Sequence, residues 1–193
     1  MQTKRQDQKI QTRKKILDTT FYLYSTRGFS TPTNIIAKEA RLSHGAIFVH
    51  FSTRDELQLC VLEQFAKEVG NKLHDLSKIA GSISELLYAH INILEEYESF
   101  YKNLISEIKT LPEESRTILL ALQSETSLHF GTVIEWEKQH GKIKDIPLHM
   151  LLNTWLGLLH YYLQNSELFT PKGSVLKQRK DELVDTFVSL ISK

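Results

Sequence analysis

The sequence predicts an all-α protein in which a three-helix helix-turn-helix domain, residues 1–53, precedes a larger helical domain, residues 54–193, with about nine helices altogether. Two observations on residue pattern and one on charge lead there. Four prolines and eight glycines in 193 residues leave few interruptions, and the alternating runs of Val, Ile, Thr and aromatic residues that mark half-buried strands are missing. The formal net charge of +1 conceals a division. Residues 1–54 hold ten basic side chains against three acidic ones, a surplus of +7, which leaves 14 basic and 20 acidic, or −6, for the remainder. A polyanion is the expected partner of the first part. The length and the 41% apolar content suffice for a core without metal or disulfide staples, and the single Cys60 cannot form an internal bridge.

The first helix is expected over residues 8–27, with Ile10, Leu17, Phe21 and Tyr24 along one face and Gly28 as its stop. Lys4, Arg5 and Lys9 are read as a flexible basic arm that adds phosphate contacts. Two short helices follow. Thr31 caps the first, with Pro32 at its first helical position, to about residue 40; Ser43 caps the second, to about residue 50. Neither is long enough to be stable alone. Thr53 and Glu56 then have the spacing of a capping box and open a long helix toward residue 79, which Gly81 and Ser82 break. Further helices are expected over residues 82–96, 99–109, 112–140, 147–165 and 172–192.

Residues 147–166 contain no Asp, Glu, Lys or Arg, the length of a membrane span. His149, Asn153, Thr154, His160, Gln164, Asn165 and Ser166 make the segment too polar for one, so no membrane association is expected. A helix apolar nearly all round is instead buried on two sides. Leu152, Leu156, Leu159 and Leu163, with Leu183 and Phe187 of the last helix, are therefore expected to meet a second copy in a four-helix interface across a two-fold axis.

The informative stretch runs from Gly28 to Leu57. Ile36, Ala37, Ala40, Leu42 and Ile47 are spaced to form the small core of a helix-turn-helix, which leaves His44, Gly45, Phe48 and His50 outward on the second short helix. Such a helix can lie in a major groove with polar side chains on base edges and its N-terminal N–H groups near phosphate. With Ile16-Leu17, Gly28-Phe29, Thr33, Ile36-Ala37, Ala40, Leu42-Ser43, Gly45, Phe48, His50-Phe51 and Arg54-Asp55-Glu56-Leu57, residues 10–57 resemble the TetR/AcrR family of bacterial transcriptional regulators. The resemblance implies that Thr33, Phe48 and Arg54 meet phosphates, that Asn34, His44, Gly45 and His50 lie at or near bases, and that Ser43, at the start of the reading helix, is also a DNA-binding position. It departs from the family in Arg41, where the turn usually has glycine, and in Phe48 and Val49, which replace tyrosines and remove two hydroxyls. Arg41 in a left-handed conformation costs roughly 1 kcal/mol.

The resemblance further implies that the C-terminal helices bind an effector and dimerise. A homodimeric, cytoplasmic bacterial repressor is expected, bound to a near-palindromic double-stranded operator and released by an unidentified small, mainly apolar molecule. Phe65, Ile91, Leu104, His129, Phe130 and Trp155 are the candidates to line its site. No cofactor and no catalytic or metal site is expected. There is no Gly-rich phosphate loop, HExxH, nucleophile elbow or metal-spaced Cys/His cluster, and His44 and His50, six residues apart, do not share a helical face. The alternative is a helical protein–protein adaptor that ignores DNA and docks through the uncharged helix.

Overall fold

A computed structural model describes residues 4–193, and among these it has ten α-helices and no strand. They are α1 (Lys4–Arg27), α2 (Thr33–Glu39), α3 (His44–His50), α4 (Arg54–Ser77), α5 (Ile83–Glu96), α6 (Glu98–Glu107), α7 (Glu113–Gln139), α8 (Leu148–Gln164), α9 (Ser166–Phe169) and α10 (Val175–Ile191), with a 3-10 turn at Ile108–Thr110. The first three residues of the expected 1–53 domain lie outside the described residues. Packing groups the chain into one unit of Met1–Phe65 with Ser99–Ile118 and a second of Ala66–Glu98 with Leu119–Lys193.

In the first unit, α1 starts at Lys4, so Lys4, Arg5 and Lys9 stand on a helix and not on a flexible arm. The buried face of α1 is Ile16, Thr20, Leu23 and Tyr24, whereas Ile10 is 54% exposed. Counting apolar residues alone missed Thr20, whose hydroxyl is satisfied inside the helix by the Ile16 carbonyl at 2.7 Å. Thr31 does not cap α2: its hydroxyl turns back to the Gly28 carbonyl at 2.8 Å, and Pro32 occupies the cap position. Ser43 does cap α3, accepting from the Ala46 N–H at 3.3 Å. The capping box of α4 forms, with Thr53 Oγ1 accepting from Glu56 N at 3.0 Å, and the Glu56 carboxylate reaches back to Ser52 N at 2.6 Å. An aromatic core ties α6 to α1, to the loop that follows α1, and to α4. Phe100 stacks on Phe21 at 4.4 Å and contacts Phe29 at 5.2 Å and Phe65 at 4.9 Å. Pairs of this kind contribute about 0.5–1.5 kcal/mol each beyond their buried area.

In the second unit, α10 packs on α5 and α8. Ser174 caps α10, and the Glu98 carboxylate accepts from the Val175 and Leu176 N–H groups at 2.9 and 3.2 Å, so the exposed donors of the first turn are satisfied. The one-turn α9 was not expected; it is held by Phe169 stacked on Tyr162 at 4.2 Å. Trp155, Phe130, His90 and Phe187 are buried together, with Trp155 and Phe187 rings 5.2 Å apart. Here the dimer expectation needs correction. Leu152, Leu159, Leu163, Leu183 and Phe187 are buried within the single chain and Leu156 is half-buried, so five of the six have almost no surface to offer a second copy. A helix apolar on most sides does not reveal by composition which side its own core takes. The outward stripe of α8 is Met150, Thr154, Gly157 and Tyr161.

Candidate nucleic-acid interface

The helix-turn-helix core forms from the expected residues: Ile36, Ala37, Ala40 and Ile47 are buried and Leu42 is half-buried. The turn between α2 and α3 depends on Arg41, which adopts φ 54°, the left-handed conformation that its place in the turn requires. His44, Gly45, Phe48 and Val49 face outward from α3, with Phe48 43% and Val49 73% exposed. Asn34 is exposed on α2. Thr33 joins the two short helices through its hydroxyl, 2.9 Å from His44 Nε2, and the His44 ring meets the edge of Phe48 at 5.2 Å. Thr33, His44 and Phe48 thus form one connected surface at the start of α3.

Gly45 has no structural reason to be glycine. It is helical, its φ is ordinary, and a Cβ added there meets nothing within 4 Å. Glycine in a helix costs about 1 kcal/mol relative to alanine. The open space above it is what close approach by another molecule's backbone needs.

At the other end of α3, His50 is half-buried, and its Nδ1 finds no hydrogen-bond partner among the described residues. Burial, followed by the positive charges of Lys9 and Arg13, holds its imidazole below the ordinary histidine range, so it is neutral at physiological pH. Arg13 of α1 is the neighbour that sequence reasoning missed. Its guanidinium donates to the His50 carbonyl at 2.6 Å and lies over the Phe51 ring at 4.1 Å, pinning the C-terminus of α3 to α1. The spacing of Arg5, Lys9 and Arg13, four residues apart, was the pattern that marks them as one helical face.

Arg54 stands where expected at the start of α4, but its Nη2 donates to the Phe29 carbonyl at 2.6 Å. It lines an open cavity of about 570 Å³ with Phe29, Asp55, Gln58 and Glu107, among others. Beneath it the Tyr24 hydroxyl is fully buried, and burial pushes its pKa up to about 12, so it stays protonated.

The sequence pattern that defines bacterial regulatory proteins of the tetR family matches residues 16–59, from the buried Ile16 through α2 and α3 into α4. Residues 16–59 therefore carry the helix-turn-helix pattern of the tetR family. The likeness of fold extends well beyond those residues. A TetR-family regulator from Agrobacterium tumefaciens superposes with a TM-score of 0.79 at 18% identity, covering 96% of this chain and 100% of that one. A transcriptional regulator from Saccharomonospora viridis, solved in complex with choline, gives a TM-score of 0.79 at 19% identity over 95% and 99% of the two chains. In sequence, the uncharacterized HTH-type transcriptional regulator YvaF of Bacillus subtilis is 23% identical over 149 residues, 76% of this chain and 78% of that protein.

The six residues expected around an effector separate. Phe65 and Leu104 belong to the aromatic core of the first unit. Ile91, Phe130 and Trp155 are buried in the second unit around His90, whose Nδ1 accepts from Trp155 Nε1 at 3.0 Å and whose ring meets Phe130 edge-on at 5.7 Å. His129, although it directly precedes Phe130 on α7, is turned elsewhere, bonded to Ser77 at 3.3 Å with its ring tilted against that of His74 at 5.2 Å. Among the described residues no cluster of three metal-binding side chains occurs and no helix is long and apolar enough to cross a membrane.

Proposed function

We propose that the chain is a homodimeric, sequence-specific repressor that binds a near-palindromic duplex operator through α3 and is released by a small, mainly apolar effector. The observation that carries the DNA-binding half is the surface of α3. A glycine in the first turn of α3 that nothing in the chain explains stands between His44 and Phe48, with Thr33 and Asn34 alongside and the basic residues of α1 beside the far end of the helix. Thr33, Phe48 and Arg54 serve phosphates, Ser43 the start of the helix, and Asn34, His44, Gly45 and His50 the bases. The two missing tyrosine hydroxyls at Phe48 and Val49 are offset by Lys9 and Arg5 on α1, each adding about one unit to the salt slope.

Homodimerisation is supported by the outward stripe of α8, where Met150 and Tyr161 flank Gly157, a second glycine with nothing within 4 Å of an added Cβ. A small residue at the centre of such a stripe lets a second helix approach closely. Ile91, Phe130 and Trp155, apolar side chains gathered around the ring of His90, suit a mainly apolar effector, and choline, the ligand of the S. viridis protein, is a first compound to test. The deciding experiment is fluorescence anisotropy with duplexes from the chain's own upstream region at several salt concentrations. Specific binding with a steep salt slope is expected, and Asn34→Ala or His50→Ala should weaken it by roughly 1–3 kcal/mol. Equal affinity for all duplexes would overturn sequence-specific reading, and no binding to any duplex would leave the adaptor reading in place.

A further inference from the structure

Outside residues 16–59, α6 holds two side chains whose hydrogen bonds all go to the backbone that leads into the helix-turn-helix. Asn103 Nδ2 donates to the carbonyls of Tyr24 and Ser25, at 2.7 and 3.0 Å, so it caps the last turn of α1 from outside that helix. Four residues further on, one turn of the same helix, Glu107 Oε1 accepts from the Phe29 N–H at 3.1 Å. Arg54 takes the carbonyl of the same residue, so the Phe29 peptide groups are gripped on both sides. The Phe29 ring is also held, between Tyr24 at 4.6 Å and Phe100 at 5.2 Å. Gly28 is shaped to this contact: its φ is 85°, and a Cβ there would overlap the Glu107 carboxylate.

We infer that Asn103 and Glu107 are positioning residues for operator reading. Only Ser30, Thr31 and Pro32 separate Phe29 from α2, and Thr31 is itself bonded to Gly28, so the direction in which α2 leaves α1 is set at this joint. The direction of α2 is carried to α3 by their shared core and by the Thr33–His44 bond. A helix that has to enter a groove with its side chains on base edges tolerates little angular error, whereas charge attraction to the phosphates tolerates a great deal. Loss of either side chain therefore reduces discrimination before it reduces attraction.

This rests on the DNA-binding reading above, and its test begins with the unchanged chain bound to its operator, so failure of that reading would appear first and separately. Affinity is then measured for the operator and for a scrambled duplex of equal length at one salt concentration. Glu107→Ala and Asn103→Asp should each lower operator affinity about fivefold or more and leave scrambled-duplex affinity within about twofold. Glu107→Gln keeps an oxygen that accepts from Phe29 and should restore operator affinity, while Asn103→Asp replaces a donor by a carboxylate facing two carbonyls. Should Asn103→Asp not fold by circular dichroism, Asn103→Ala makes the same test, because the α1 carbonyls can then turn to water. Operator affinity unchanged in the folded variants, equal loss on both duplexes, or a Gln variant as weak as the Ala variant would each overturn the assignment.

Discussion

Acidification should remove about 3 kcal/mol of stability through one residue, His90. It is buried in the second unit with its Nδ1 accepting from Trp155 Nε1, a bond that requires the neutral ring, and burial, with a smaller contribution from His160, lowers its pKa from the ordinary 6.5 to about 4. The unfolded chain binds a proton there below about pH 6.5 and the folded chain only below about pH 4, so folding excludes a proton in between. Stability from this residue is complete above the unfolded value, falls as the pH drops through that window, and is gone below it. At 1.36 kcal/mol per pH unit the whole window amounts to about 3 kcal/mol. The assay is urea unfolding followed by circular dichroism at several pH values, with His90→Gln as reference, since an amide oxygen can accept from Trp155 and does not titrate. His160, lowered by burial in the same direction, is present in both proteins and largely cancels in the difference. The advantage of the histidine protein over the variant should shrink by about 3 kcal/mol between about pH 7 and about pH 4. A difference constant across that range would refute the account of a neutral, solvent-excluded His90.

Arg41→Gly should stabilise the chain by about 0.5–1 kcal/mol in the same assay, because φ 54° carries no penalty for glycine. Gly28→Ala should destabilise by at least about 2 kcal/mol, from the left-handed strain and from displacement of Glu107, and a smaller loss would mean that the joint at Phe29 can rearrange. Leu159→Asp should unfold the protomer by placing a carboxylate in a fully buried position, and a folded monomer in a sizing experiment would contradict its burial. Tyr161→Asp, on the exposed stripe, is the substitution that should give folded monomers, and a dimer that persists would place the interface elsewhere.

Much of the fold was legible because its determinants are local. Ser43, Ser82 and the Thr53–Glu56 pair cap helices within one turn of themselves, and the left-handed Arg41 follows from its place in a two-helix turn. Thr31 was misread because two acceptors compete for its hydroxyl: a helix start ahead of it and a carbonyl behind it, and the carbonyl prevailed. On α3, His44, Gly45 and Phe48 are outward as the period predicts once Ile47 is buried. The expected His50 is instead half-buried and Val49 is exposed in its place, because the C-terminal end of α3 turns His50 toward α1. Arg13 was not found, since its partners, the His50 carbonyl and the Phe51 ring, lie 37 and 38 positions along the chain.

Sequence alone determined the helical class, the helix-turn-helix and the exposure of His44, Gly45 and Phe48 at the start of α3, because periodicity and capping are properties of neighbours in the chain. Tertiary structure decided which side of each apolar helix is core. Leu159 and Tyr161 are two positions apart on one uncharged helix, yet the first is sealed and the second open. It also decided that α6 packs with α1 and the loop that follows it, through Phe100, Asn103 and Glu107. Those contacts join residues about 80 positions apart, and no local pattern records them, because burial and hydrogen bonding depend on which surfaces meet and not on the composition of either one.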